Sequence, residues 1–143
     1  MYTSPVKYTR RDLSTLLPLL AAQAGSAQTP SLPSKTYAFD DLPVKKNGAN
    51  SSRAVLKGAM HDGCPLEMHI TELAPGLSPH PPHHHGHDEM VIIRQGTLDV
   101  MISGKHTNLG PGSVVFFSSG DEHGFKNVGT DNAMYYVIAM GKD

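Results

Sequence analysis

The chain has no tryptophan, one cysteine, four phenylalanines and five tyrosines. A single thiol, Cys64, excludes an intramolecular disulfide, so packing and hydrogen bonds alone must hold the fold. So few aromatic rings leave little material for the stacking platforms that grip single-stranded nucleic acid. A net charge of -1, with no clustered basic face, removes the electrostatic basis for binding a phosphate backbone. Apolar runs are short, and none is long enough to cross a hydrocarbon core of ~30 Å as a helix. From Tyr37 onward, helical periodicity is missing as well.

What is abundant is glycine and proline, 14 and 11 of them in 143 residues. That density of turn formers favours many short strands over a few long helices. The length suits one domain. Hydrophobic residues at 38% and charged residues at 17% place the chain among globular rather than disordered sequences.

The first residues read as an address. Arg10 and Arg11 precede a moderately apolar stretch from Leu13 to Ala24, and Gly25, Ser26 and Ala27 supply the small residues of a cleavage site. Thr9-Arg10-Arg11-Asp12-Leu13 resembles a twin-arginine export signal, although Ser14 follows and the apolar run is brief. Residues 1–27 are therefore expected to direct export to the periplasm or beyond; the competing reading is an amphipathic helix on the domain or a partner, in a cytoplasmic protein. Residues 28–36 (QTPSLPSKT) read as a Pro/Ser linker.

Residues 37–143 carry the domain. Strands are expected at Arg53–Gly58, Leu66–Leu73, Glu89–Arg94, Thr97–Ile102, Ser113–Phe117 and Ala133–Met140. Ala74-Pro75-Gly76, Ser103-Gly104-Lys105 and Gly110-Pro111-Gly112 are expected turns. Strands at intervals of ~8–12 residues point to an all-β sandwich or barrel.

The histidines are the unusual feature. There are nine, and five of them (His80, His83, His84, His85, His87) fall within eight residues. Side chains two and four apart in a strand share a face, so His83, His85 and Glu89 can converge. Two imidazoles and a carboxylate suit a first-row divalent metal. A closed barrel would bring His123, from a separate segment, to the same point.

The two segments resemble the paired signature of the cupin superfamily. Its first part is Gly, His-x-His, three or four residues, Glu, six residues, Gly; here these are Gly76, His83, His85, Glu89 and Gly96. Its second part runs Gly, five residues, Pro-x-Gly, two residues, His, three residues, Asn, matched by Gly112, Gly120, His123 and Asn127. Six residues rather than five separate Gly76 from His83, and Ser118 stands where the family has proline. The resemblance, over about residues 70–140, implies a double-stranded β-helix, a jelly-roll-like barrel. It also implies a site in which His83, His85, Glu89 and His123 hold a divalent transition metal: manganese, iron, nickel, zinc or copper. Pairing into a homodimer is implied by the resemblance alone.

Parity turns His84 away from His83 and His85, and His80 belongs to a Pro-rich rim. His87 shares the inward parity, with Gly86 able to turn it aside, and His69 lies on an expected strand. These two are the candidate catalytic acid or base groups, weighed against a solvated histidine at the mouth and a hydrogen-bonded core histidine. Arg94 should point away from the metal, His61 to Cys64 reads as a plain turn, and Met90, Met101, Met134 and Met140 as core filling. The expected function is metal-dependent action on a small oxygen-rich metabolite, as an oxygenase, isomerase or decarboxylase. A metal-containing binding or sensing module that does not transform its ligand is the alternative.

Overall fold

A computed structural model describes residues 30–143. The export reading of residues 1–27 therefore lies outside the described residues. The order of elements is a 3-10 turn at Phe39–Asp41, then β1 (Val44–Asn47), β2 (Asn50–Ala59), β3 (Pro65–Leu73), β4 (Asp88–Gln95) and β5 (Leu98–Ile102). β6 (Lys105–Leu109), β7 (Val114–Phe117), β8 (His123–Asn127) and β9 (Ala133–Met140) complete it. Six strands form one antiparallel sheet in the order β1-β2-β3-β9-β4-β7, and three form a second, β6-β5-β8. This is the double-stranded β-helix expected from the sequence.

Alternation along the strands puts one face of the large sheet inward. Leu73, Val91, Ile93, Val115, Phe117, Tyr135 and Val137 are buried on it, and Leu98, Val100 and Phe125 meet them from the small sheet. All six expected strands are present, with ends shifted by a few residues. Three were not anticipated, because none shows apolar alternation. β1 is exposed throughout, β6 (KHTNL) is nearly so, and β8 (HGFKN) is buried at four of its five positions. Pairing creates them: β6 folds back on β5 through a turn at Ser103 and Gly104, both at positive φ. Residues 30–36 run past β2, where Leu32 donates to the Ala59 carbonyl and its side chain covers Gly58.

Met101 is buried, but Met90, Met134 and Met140 are not core filling. Met90 lies opposite Ile138 and Phe116, and Phe116 is half exposed, which places this row on the outer face of the large sheet. The reason is parity: Glu89 and Val91 take the inward positions of β4, so Met90 takes an outward one.

Two residues of the sequence signature act on the frame rather than on the site. Gly96 stands at φ 82°, and a Cβ there would lie 2.7 Å from the Ala133 Cα, so the turn after β4 admits no side chain. Asn127 is fully buried. Its Nδ2 donates to the carbonyls of Leu73 (2.9 Å) and Asp131 (2.8 Å), while its Oδ1 accepts from Gly129 N–H (2.9 Å). One amide thus ties the end of β3 to the loop between β8 and β9. Asn127→Ala should leave these groups buried without partners and cost about 3 kcal/mol, read as a shift of the urea midpoint at unchanged slope. A shift within error would mean the amide is not a tie.

Candidate metal centre

The two signature segments are stitched together by their own backbones. His83 N–H donates to the His123 carbonyl at 3.0 Å, and His123 N–H returns to the His83 carbonyl at 2.8 Å, an isolated antiparallel bridge. Gly120 N–H donates to His85 O at 2.9 Å, and Ser119 N–H to the Asp88 carboxylate at 2.9 Å. Asp88 is thus not a free carboxylate: it caps the loop that leads into His123. That loop turns at Gly120, whose φ of 84° meets the need of a type II corner, so Ser118 in place of proline does not prevent it.

One sequence expectation needs correction here. His83 and His85 do not lie on the same regular strand as Glu89, because β4 begins only at Asp88. The segment before it is extended and anchored to β8 and to the β7–β8 loop instead. Alternation survives nonetheless: His83, His85 and His87 are half-buried, while His84 and Gly86 are exposed. His84 points away as expected, and so does exposed Arg94. Exposed His80 forms part of the cavity rim, and residues 60–64 make a plain turn.

The imidazoles converge. His83, His85 and His123 each offer one ring nitrogen, all within 4.8 Å of one another. The Glu89 carboxylate completes the cluster, 3.4 Å from His85 Nε2 and 3.8 Å from His123 Nε2. Donor atoms that share one ion at ~2.1 Å lie about 3.0–3.4 Å apart, so the set as it stands is wider than a closed coordination shell and would have to contract around an ion.

The hydrogen bonds say which nitrogens are available. His85 Nδ1 bonds the His87 carbonyl and His123 Nδ1 the Asp121 carbonyl, each at 2.9 Å. A carbonyl can only accept, so both Nδ1 atoms carry the proton and both Nε2 lone pairs face the cluster. Those Nε2 atoms, and His83 Nδ1, are buried without any hydrogen-bond partner. Three orphaned imidazole nitrogens in one cluster are costly as they stand and are what a divalent ion would satisfy. Phe117 stacks on the His123 ring (centroids 4.2 Å apart, planes 17° from parallel) and fixes its plane. Burial, reinforced by the neighbouring imidazoles, pushes the His83 pKa down to about 4, so its ring is neutral at pH 7.

His85, His87 and Glu89 form a second, overlapping group. Gly86 does not turn His87 aside: the His87 ring stacks on His85 at 3.7 Å, 8° from parallel, and lines the cavity. Its Nδ1 contacts the carboxylate of Asp143, whose pKa is lowered by this hydrogen bond. No feature of the local sequence pairs residue 87 with residue 143.

The cluster opens into a cavity of about 610 Å³. Leu73, Phe125, Tyr135 and Val137 give it apolar walls; Asn50, Ser52 and Thr71 add polar groups. His69 lines it too, with only a 4.0 Å approach to Glu67. Burial lowers the His69 pKa, against the opposing pull of Glu89 and Glu67, so it is a neutral base at pH 7. It is therefore a cavity residue rather than a hydrogen-bonded core histidine.

A family model described as a cupin domain matches residues 69–139. The chain belongs to the cupin superfamily. Solved structures share the fold at low identity. KdgF from a Halomonas species has a TM-score of 0.65 at 17% identity, over 78% of this chain and 97% of that one. A predicted oxalate decarboxylase from Thermotoga maritima has 0.68 at 20%, over 76% and 100%. The polyketide cyclase RemF from Streptomyces resistomycificus has 0.61 at 19%, over 77% and 81%. No curated protein matches the sequence.

The pH dependence of stability follows from the two histidines whose pKa is lowered, His83 and His69; His69 shows the sign. Its pKa lies below 6.5 in the folded cupin and near 6.5 when unfolded. The unfolded chain thus takes up more protons as pH falls below about 6.5, and stability is lost in that direction. Chelator-treated protein should melt at a lower temperature at pH 5 than at pH 7.5, and His69→Gln should flatten that slope. An unchanged slope in the variant would place the effect elsewhere.

Proposed function

We propose that this cupin is a metal-dependent protein acting on a small oxygen-rich metabolite, with His83, His85, Glu89 and His123 as ligands to a divalent transition metal. The observation that carries this reading is the set of three buried, unpartnered ring nitrogens, of His83, His85 and His123, two of which lie within 3.8 Å of the Glu89 carboxylate. His83 is preferred to His87 as the third imidazole. His83 has a bare buried nitrogen, whereas His87 spends one nitrogen on Asp143 and its ring face on His85. The donor set accepts manganese, iron, nickel, zinc or copper. A bound ion would polarise an oxygen of the substrate and stabilise negative charge that develops there.

The protein's own groups do the rest. Apolar walls line one side of the cavity, and His69, neutral and inside it, can take a proton from a substrate held at the cluster. His87, oriented through Nδ1 by Asp143, is the second candidate for that role. Among reaction types this supports oxygenase, isomerase or decarboxylase chemistry. The polar, open side of the cavity gives some support to the alternative, a binding or sensing module without turnover. Turnover lost in His69→Gln or His87→Gln at unchanged metal content distinguishes the enzyme from the binding module.

Untagged protein should carry about one transition-metal ion per chain by elemental analysis. His123→Ala and Glu89→Gln should each lower that content at least about tenfold, and His84→Ala should leave it unchanged. Equal loss in all three would refute the ligand assignment; loss in His87→Ala but not His83→Ala would move it to the overlapping group.

The proposal extends to export of the folded protein to the periplasm or beyond, and to a homodimer. Replacing Arg10 and Arg11 by lysine should retain the protein in the cytoplasm on cell fractionation. Unaltered distribution would favour the cytoplasmic reading.

A further inference from the structure

The mouth of the cavity carries two positive charges that the chemistry at the cluster leaves unused. Lys45 and Lys46, on β1, both line it. Register shows how. Lys45 stands opposite Ser52, Ser52 opposite Thr71, and Thr71 opposite Tyr135. Directly opposed residues of antiparallel strands present their side chains on one face, and Thr71 and Tyr135 are buried on the cavity side. Lys45 therefore ends an inward-facing row. Lys46, opposite Ser51 and then Glu72, has the other parity and reaches the cavity lining only around the exposed sheet edge.

Among the described residues neither lysine takes part in an ion pair. The two carboxylates that line the cavity are engaged elsewhere. Glu67 is held by Lys57 at 2.6 Å, and Glu89 belongs to the histidine cluster. The remaining polar lining near the lysines is neutral: Asn47, Asn50 and Ser52. A ligand that spans the cavity thus meets the cluster at one end, apolar side chains between, and two ammonium groups with amide and hydroxyl donors at the other.

We infer that the ligand of this cupin is a small dianion, one oxyanion placed at the histidine–glutamate cluster and the second held by Lys45 and Lys46. The inference rests on the metal-site reading for the first oxyanion only; the lysine end is independent of it. An oxyanion accepts charge-assisted hydrogen bonds from both ammonium groups, and partial removal from water strengthens them. Lysines on an edge strand also discourage strand pairing between molecules, and that reading needs no ligand.

The test is calorimetric titration of adipate, and of its neutral diamide, into zinc-loaded full-length protein and into the Lys45→Gln/Lys46→Gln variant. Zinc content is measured on the same samples. The expected result is saturable adipate binding that weakens about tenfold in the variant, with the diamide and the zinc content unaffected. Added sodium chloride should narrow the difference between the two proteins. The same pair of titrations in a His123→Ala background should show weaker adipate binding that still depends on the lysines. Failure of the metal reading would appear as missing zinc in the parent protein, with this lysine dependence intact. Equal adipate affinity in parent and variant, or no saturable adipate binding at millimolar concentration, overturns the inference and leaves the lysines as guards of the sheet edge.

Discussion

The reciprocal pair of backbone hydrogen bonds between His83 and His123 is the contact on which the centre depends. It is not part of a continuous ladder; each partner is fixed from its other side by a different element. His123 opens β8, which is paired to β5, while the His83 segment leads through Gly86 into β4. Two sheets meet at that bridge. If it opened, the imidazoles would lose their common point although each strand could persist. Backbone bonds suit such a junction because they fix the direction of the chain without using up the side chains.

A polar centre can be built in the wall of an apolar barrel because two of its imidazoles, His85 and His123, are oriented by hydrogen bonds directed away from the cluster. The Nδ1 atoms of His85 and His123 are spent on nearby carbonyls, which sets the tautomer and aims Nε2 inward. Burial keeps His83 uncharged at neutral pH, so its lone pair is not blocked by a proton. The cost is three buried ring nitrogens without a hydrogen-bond partner. On the far side of the cavity the logic reverses: charge is exposed on a short edge strand, where solvation is cheap and a ligand can replace water.

Much of the frame was legible in the sequence because burial enforces alternation. The expected strand from Ala133 to Met140 alternates in burial from Ala133 to Val137 because one face of it meets the core. In the strand from Leu66 to Leu73, by contrast, the neighbours Ile70 and Thr71 are both buried. β1, β6 and β8 escaped notice for the converse reason. β1 and β6 are exposed, and β8 mixes a buried histidine, a glycine and a structural amide in five residues. Their pairing partners, not their own composition, make them strands. The outward methionines were misjudged because hydrophobicity alone does not reveal which face of a sheet a residue occupies.

Spacing within each segment determined which side chains could share a face, and the two-part signature pointed to His83, His85, Glu89 and His123 as one set. Of these the structure brings the three imidazoles together and sets Glu89 beside two of them. Spacing is a local property that a pleated chain converts directly into direction. Tertiary structure alone decided the rest: that His87 lies flat on His85 and reaches Asp143, that Asp88 caps a loop, and that Lys45 completes an inward row begun by Tyr135. Each of these joins residues far apart in the chain or depends on ring orientation, and such contacts exist only once the sheets have closed around one another.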